Sequence, residues 1–267
     1  MTASVNTPVA DLHVHTTTSD GELTLADIPP IASAVGLDAV AVTDHDRLNA
    51  DFDDPVEVHD GITLIRGIEL KVAPPGGERI DLLGYAVRQT DALRTLIESL
   101  QKNRVTRGRK IIENVEAHLD IELDLPVRHG IGRPHIARAV ADHPETSVSY
   151  QGVFDELIGD DGPCFVPRQI PSLSRGISIL EAACPVIAVA HPLRYDDVDA
   201  ALAIAREIGA VERWYPYGTA VDEKPVVRAV TEDDLVATGG SDAHDDQLGL
   251  AGPPGEAYER FAAACGL

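Results

Sequence analysis

The chain opens on a short, mostly apolar stretch, Val9 to Val14, spaced as a strand. Thr24 to Val35 follows with helical spacing, Thr24 standing as its N-cap and Gly36 as its stop. Ala39 to Thr43 (AVAVT) has the small and β-branched character of a buried parallel strand. Ile62 to Gly67 and Ile80 to Val87 read as two more strands, separated by a turn at APPGGE. The character then changes. Asp91 to Leu119 is one long helical pattern, broken only by Gly108, and residues 120 to 175 read as helix and loop. After Pro185 the alternation returns: VIAVAH, a helix over Val198 to Ile208, VERWY, a helix near 222–230, and LVATGGSDAH. The last stretch, with GPPGE and FAAACGL, reads as a turn and a short helix of no evident chemical role.

Strand–helix alternation at both ends with a helical middle predicts an α/β fold, a barrel or parallel sheet built from residues 8–90 and 180–250. Residues 91–179 form an inserted helical subdomain and residues 251–267 a C-terminal tail. Catalytic groups in such folds gather at the carboxyl ends of strands, so polar residues placed there carry the search for function.

Composition narrows the field. With 267 residues, 44% of them hydrophobic, the chain can bury a sizeable core. No apolar run is long enough to span a membrane, and the N-terminus lacks a basic segment followed by an apolar one, so a cytoplasmic protein without signal peptide is expected. Cys164, Cys184 and Cys265 are odd in number and far apart, which fits buried thiols. The net charge of -22 disfavours stable DNA binding. Lysine occurs only at Lys71, Lys102, Lys110 and Lys224. A lysine-poor, acidic surface resembles that of halophilic proteins, whose self-repulsion high salt screens.

Five strand ends carry metal-ligating residue types. In His13-Val14-His15, residues two apart share a face of a strand, so both imidazoles can reach one ion; Ser19-Asp20-Gly21 trails them. Thr43-Asp44-His45-Asp46 follows the AVAV run, where three polar groups in a row are costly unless something satisfies them. Gly67-Ile68-Glu69, Ala190-His191-Pro192 and Ser241-Asp242-Ala243-His244 complete the set, the last repeating the spacing of the opening pair. A lone histidine at a strand end is ordinarily structural, but half of the chain's ten histidines fall in these segments. A donor set of imidazole and carboxylate without cysteine suits Zn²⁺, Mn²⁺ or Fe²⁺.

Together, HVHTTTSDG, TDHD, GIEL, AHP and SDAH resemble the successive motifs of the PHP (polymerase and histidinol phosphatase) family. GRPHIAR at 132–138 and GPCFVP at 162–167 resemble its subfamily of 3′,5′-bisphosphonucleotide phosphatases and 5′-3′ oligoribonucleases. The resemblance implies a distorted (β/α)₇ barrel and two or three divalent ions. His13, His15, Glu69 and Asp242 would hold one ion, and Asp20, His45 and His244 a second. Glu69 and His191 would help hold a third. Where the family usually has a further histidine, this chain has Asp81, either a ligand that favours Mn²⁺ or Mg²⁺ or a partner that holds a ligand histidine. Two ions about 3.5–4 Å apart can acidify a water bound between them, and the resulting metal-bound hydroxide attacks phosphorus in line. Asp44 or Asp46 is a candidate proton shuttle.

Phosphate also needs cations from the chain. Lys102, Arg104, Arg107, Arg109 and Lys110 cluster on the long helix; the alternative is a solvated face. Arg133 and His135 lie in GRPH, and the resemblance makes them substrate contacts. Arg168 and Arg194 follow the GPCFVP and AHP segments. Arginine matches phosphate oxygens bidentately. The expected activity is hydrolysis of a phosphate ester on a small nucleotide or a short RNA end. The rival activity is a histidinol-phosphate or sugar phosphatase, and the rival from another class is a non-hydrolytic metal-binding or regulatory module.

Overall fold

The computed structural model describes residues 7–267. Residues 1–6, part of the stretch read as lacking a signal peptide, lie outside the described residues. The chain divides into two compact units. One runs up to Arg94 and resumes at Pro171; the other is Thr95–Ile170. Among the described residues, no helix is long and apolar enough to cross a membrane.

The first unit holds nine strands in two sheets. β1 (Ala10–Val14), β2 (Ala39–Val42) and β4 (Ile62–Arg66) run parallel, and β3 (Val56–His59) joins β4 antiparallel at the edge. The second sheet has the order β5 (Ile68–Val72), β6 (Ile80–Tyr85), β7 (Val186–Val189), β8 (Ala210–Trp214), β9 (Val236–Gly239). Here β5–β6 and β6–β7 are antiparallel, and the last two pairs parallel. Single bridges join the sheets at both margins, Val14 with Ala243 and His45 with Glu69. The architecture is the expected α/β one, but its sheet is mixed rather than parallel throughout.

Two strands escaped the reading. β3 is a short half-exposed edge. In β5, IELKV, the charges of buried Glu69 and half-buried Lys71 break the apolar run. Glu69 therefore lies inside β5, not at the end of the strand before it. Asp81 lies near the start of β6. Because β6 runs antiparallel to β7, this start lies beside the end of β7, where Ala190 N–H donates to Asp81 O at 3.0 Å.

Helices flank these strands. α1 (Ile28–Ala34) follows a 3₁₀ turn capped by Thr24, whose N–H and hydroxyl both donate to Asp27 Oδ2 at 2.8 and 2.5 Å. α2 (Asp91–Leu119) is continuous through Gly108. That glycine makes room rather than a break, since a Cβ there would lie 3.1 Å from Ile131 Cγ2. α3 (Arg133–Ala141) and α4 (Tyr150–Val153), the latter prolonged by a π-turn over Phe154–Ile158, pack with α2 around Ile111, Val115, Ile136 and Leu157. α5 (Leu173–Glu181) belongs to the stranded unit. α6 (Val198–Ile208) and α7 (Lys224–Glu232) cross between the last parallel strands.

The closing segment packs into the core. Its helix α8 (Gly255–Cys265) places Phe261, fully buried, in the cluster formed by Ala10, Leu12, Ala39, Ala41, Tyr85, Ala188 and Ala210. The alanines of β1, β2, β7 and β8 leave space that the Tyr85 and Phe261 rings fill, edge to face at 5.0 Å. The three cysteines are free, Cys164 and Cys184 buried and Cys265 half-buried.

Candidate metal centre

All nine residues read from the sequence as candidate ligands converge. Their donor atoms fall into three groups, each within 4.8 Å: His15, Asp20, His45 and His244; His13, His15 and Asp242; and Glu69, Asp81 and His191. Glu69 links the groups. Its Oε1 lies 3.6 Å from His13 Nε2 and 3.3 Å from His191 Nε2, and its Oε2 lies 3.5 Å from His15 Nε2 and 2.6 Å from His45 Nδ1. Asp242 Oδ1 lies 3.4 Å from His13 Nε2 and 3.1 Å from His15 Nε2. Asp20 approaches His244 at 3.6 Å and His45 at 3.9 Å.

Local backbone aims these groups. Period two puts His13 and His15 on one face of β1 and its continuation. His191 (φ 30°) and Asp242 (φ 53°) adopt the left-handed region, which costs non-glycine residues free energy and is concentrated at functional sites. Gly240 allows the loop after β9 to press on β1, because a Cβ there would sit 2.3 Å from His13 N.

The residues fit divalent cations. His13 Nε2, His15 Nε2, Asp20 Oδ1 and Asp81 Oδ1 are buried and make no hydrogen bond. Buried polar atoms are nearly always satisfied, so several around one space need an occupant. Burial works against the ionised form of Glu69, but the His45 and His13 imidazoles overcome it and hold its carboxyl well below the usual range. Asp20 and Asp242 are depressed in the same way by His45 and His13. His15 is pushed down by burial and by the charges of His45 and His244, which keeps its imidazole neutral, the ligating form.

Three supporting residues were not singled out in the sequence. Glu212, fully buried on β8, lies 3.0 Å from His13 Nδ1 through Oε1 and accepts the His191 N–H at 2.6 Å on Oε2. It thereby fixes one histidine ring and the loop of another. Tyr215 donates its hydroxyl to Asp242 Oδ2 at 2.8 Å. Asp11, fully buried, accepts from Ser241 N–H and hydroxyl and from Gly249 N–H at 2.9, 2.5 and 2.8 Å, tying the loop after β9 to β1; burial raises its carboxyl to about 6. A charged residue within the apolar runs AVERW and ADLHV was the available signal.

Glu212→Gln should weaken Mn²⁺ binding by ~10- to 100-fold, the usual cost of losing a carboxylate behind a ligand histidine. Titration calorimetry measures it, with the melting temperature of the metal-free protein as the control. Unchanged affinity would mean that β8 does not orient the centre.

Of the two shuttle candidates, Asp44 is committed elsewhere. Its oxygens accept the Thr16 N–H and hydroxyl at 2.9 and 2.7 Å and the Ser19 N–H and hydroxyl at 3.1 and 2.5 Å. A carboxylate with four donors holds the loop that carries Asp20. Asp46, buried beside His45, donates its N–H to Glu69 O at 2.9 Å.

The helical unit gathers its own cations. Of the basic run on α2, Lys102, Arg109 and Lys110 face solvent, whereas Arg104 is buried and Arg107 half-buried. Arg107 donates through Nε to Val166 O at 2.6 Å. Burial, then the charges of Arg133, Arg168 and Arg104, push its guanidinium down to about 10 against the opposing pull of Asp160. Four arginines from three separate segments therefore share one neighbourhood. Arg133 donates to Ile158 O and Asp160 Oδ1 at 3.3 and 3.2 Å. His135 accepts the Gly132 N–H on Nδ1 at 3.2 Å and so caps α3. In the stranded unit, Arg194 is exposed; it donates to the Tyr215 hydroxyl at 2.9 Å and lies 3.7 Å from Asp242.

Over 247 residues the chain is 25% identical to a phosphoribosyl 1,2-cyclic phosphate 1,2-diphosphodiesterase of Eggerthella lenta, covering 88% of this chain and 94% of the relative. It is 28% identical over 194 residues to a 3′,5′-nucleoside bisphosphate phosphatase of Chromobacterium violaceum, covering 70% and 67%. A solved structure from Bifidobacterium adolescentis, assigned as a metal-dependent phosphoesterase, superposes with a TM-score of 0.76 at 20% identity over 96% of each chain. Residues 11–143 match the PHP domain, and this stretch contains His13, His15, Asp20, His45, Glu69 and Asp81.

Proposed function

We propose that this protein hydrolyses a phosphate ester of a ribonucleotide, either a 3′,5′-bisphosphonucleotide or the 5′ end of a short RNA. The convergence of nine candidate ligands from both ends of the chain in one cluster, buried on its Glu69 side and open at His244, carries the phosphoesterase reading. Divalent ions held there supply Lewis-acid charge to a phosphoryl oxygen and to the attacking water. His13, His15, Glu69 and Asp242 would hold one, and Asp20, His45 and His244 another. The donor set favours Mn²⁺, Zn²⁺ or Fe²⁺ over Mg²⁺.

The chain's own groups do the rest. Glu212 and Tyr215 keep His13 and Asp242 aimed. Arg194 keeps its exposed guanidinium near Asp242 and can bind a substrate phosphate at the rim. Asp46 takes the proton-accepting part, since Asp44 is engaged by four donors. The clustered Arg104, Arg107, Arg133 and Arg168 give the helical unit an anion-binding group of its own. The nucleotide reading also draws on the bisphosphate phosphatase of C. violaceum and on a 5′-3′ exoribonuclease of Haemophilus influenzae, 29% identical over 192 residues. The E. lenta relative favours a second reading, a cyclic ribosyl phosphodiester, because its alignment covers more of both chains.

Phosphate release by the Mn²⁺-loaded protein tests this, at high and low salt. The panel holds a 3′,5′-bisphosphonucleotide, 5′- and 3′-mononucleotides, 5′-phosphorylated RNA, a ribosyl 1,2-cyclic phosphate, histidinol phosphate and an aryl phosphate. The bisphosphonucleotide or the RNA should turn over with the highest kcat/KM. Preference for the cyclic diester would replace the first reading by the second. No turnover by folded, metal-loaded protein would leave a binding module.

A further inference from the structure

Lys71 shares a face of β5 with the ligand Glu69, because residues two apart in a strand point the same way. Its partner in register on β6 is Asp81, and the ammonium lies 2.5 Å from Asp81 Oδ2. The Asp81 side chain is 8% exposed and that of Lys71 30%, so the pair spans from the buried ligands to the solvent side. Asp81 belongs to the ligand group with Glu69 and His191. That group contains one imidazole, and His191 Nε2 reaches Asp81 Oδ2 only at 3.9 Å. One of its two carboxylates is thus already neutralised, and any cation bound to it would face a fixed positive charge at close range.

We infer that this centre takes two divalent ions and that the Lys71 ammonium, pinned by Asp81, stands in place of a third. An ammonium has three donors. Asp81 uses one, and the others are available to a substrate phosphate oxygen, so Lys71 acts as a resident cation beside the metals. Asp81 then serves as the anchor of Lys71 rather than as a metal ligand. This rests on the reading that the cluster binds divalent ions.

Metal content tests it independently of activity. The full chain is stripped with a chelator, reloaded with Mn²⁺, desalted and assayed for manganese per chain by mass spectrometry, with calorimetric stoichiometry alongside. Wild type should hold two ions and Lys71→Met three, since removing the ammonium frees Asp81. Lys71→Gln, which keeps a polar head without charge, serves in its place if the methionine variant does not fold. Asp81→Asn should hold two. Three ions in wild type would overturn the inference and leave the metal centre standing. Two ions in both wild type and the Lys71 variants would also overturn it, because Lys71 would not be what excludes the third. No bound ion in wild type would overturn the metal reading itself.

Discussion

Asp242→Ala is expected to lower phosphate release by at least ~10³-fold, and His15→Ala by a similar factor, because each belongs to more than one set of contacts in the cluster. Asp242 Oδ1 faces both His13 and His15, while its Oδ2 takes the Tyr215 hydroxyl. His15 Nε2 faces Asp242 and Glu69, and the same ring lies in two of the three ligand groups. Loss of a bound ion removes several kcal/mol of transition-state stabilisation, and each ~1.4 kcal/mol is tenfold in rate. The variants should also bind at least one manganese fewer, with far-ultraviolet circular dichroism unchanged. Hydrolysis within tenfold of wild type at unchanged metal content would put the reaction somewhere other than this cluster.

What could be read from the sequence, and what could not, follows from strand geometry. The histidine pair was legible because period two is rigid, so His13 and His15 had to share a side; Asp242 and His244 lie past β9, Asp242 in the left-handed region, and enter different ligand groups. Runs such as AVAV and PVIAVA were legible because parallel strands covered on both faces are apolar throughout. The same rule hid Glu212, Asp11 and Lys71, since a single charge inside a strand ordinarily faces water and only the folded partners reveal that it does not. β5 was missed for this reason, since Glu69 and Lys71 interrupt its apolar pattern. The mixed direction of the second sheet was illegible because local pattern does not encode which neighbour a strand will pair with. Spacing also could not separate the arginines of α2. Arg104 and Arg107 turn inward and Lys102, Arg109 and Lys110 outward, a division set by the packing around Ile131.

The C-terminal segment illustrates the same limit at the level of the core, and its removal should have the largest effect on stability. FAAACGL carries no chemistry, yet Phe261 is fully buried against strands that bear ligands: β1, with His13, and β2, which leads into His45. The alanines lining those strands cannot close over the gap, because their side chains have no further reach. Phe261→Ala should therefore cost about 3–5 kcal/mol, the range for deleting a buried aromatic ring where the surroundings relax little. Urea unfolding of the metal-free protein at fixed salt measures it, and excess Mn²⁺ should recover part of the loss by binding only the native state. Phe261→Leu, which keeps most of the volume, should cost clearly less. A loss below ~1 kcal/mol in the alanine variant would mean that α8 is peripheral and that Tyr85 alone fills the space.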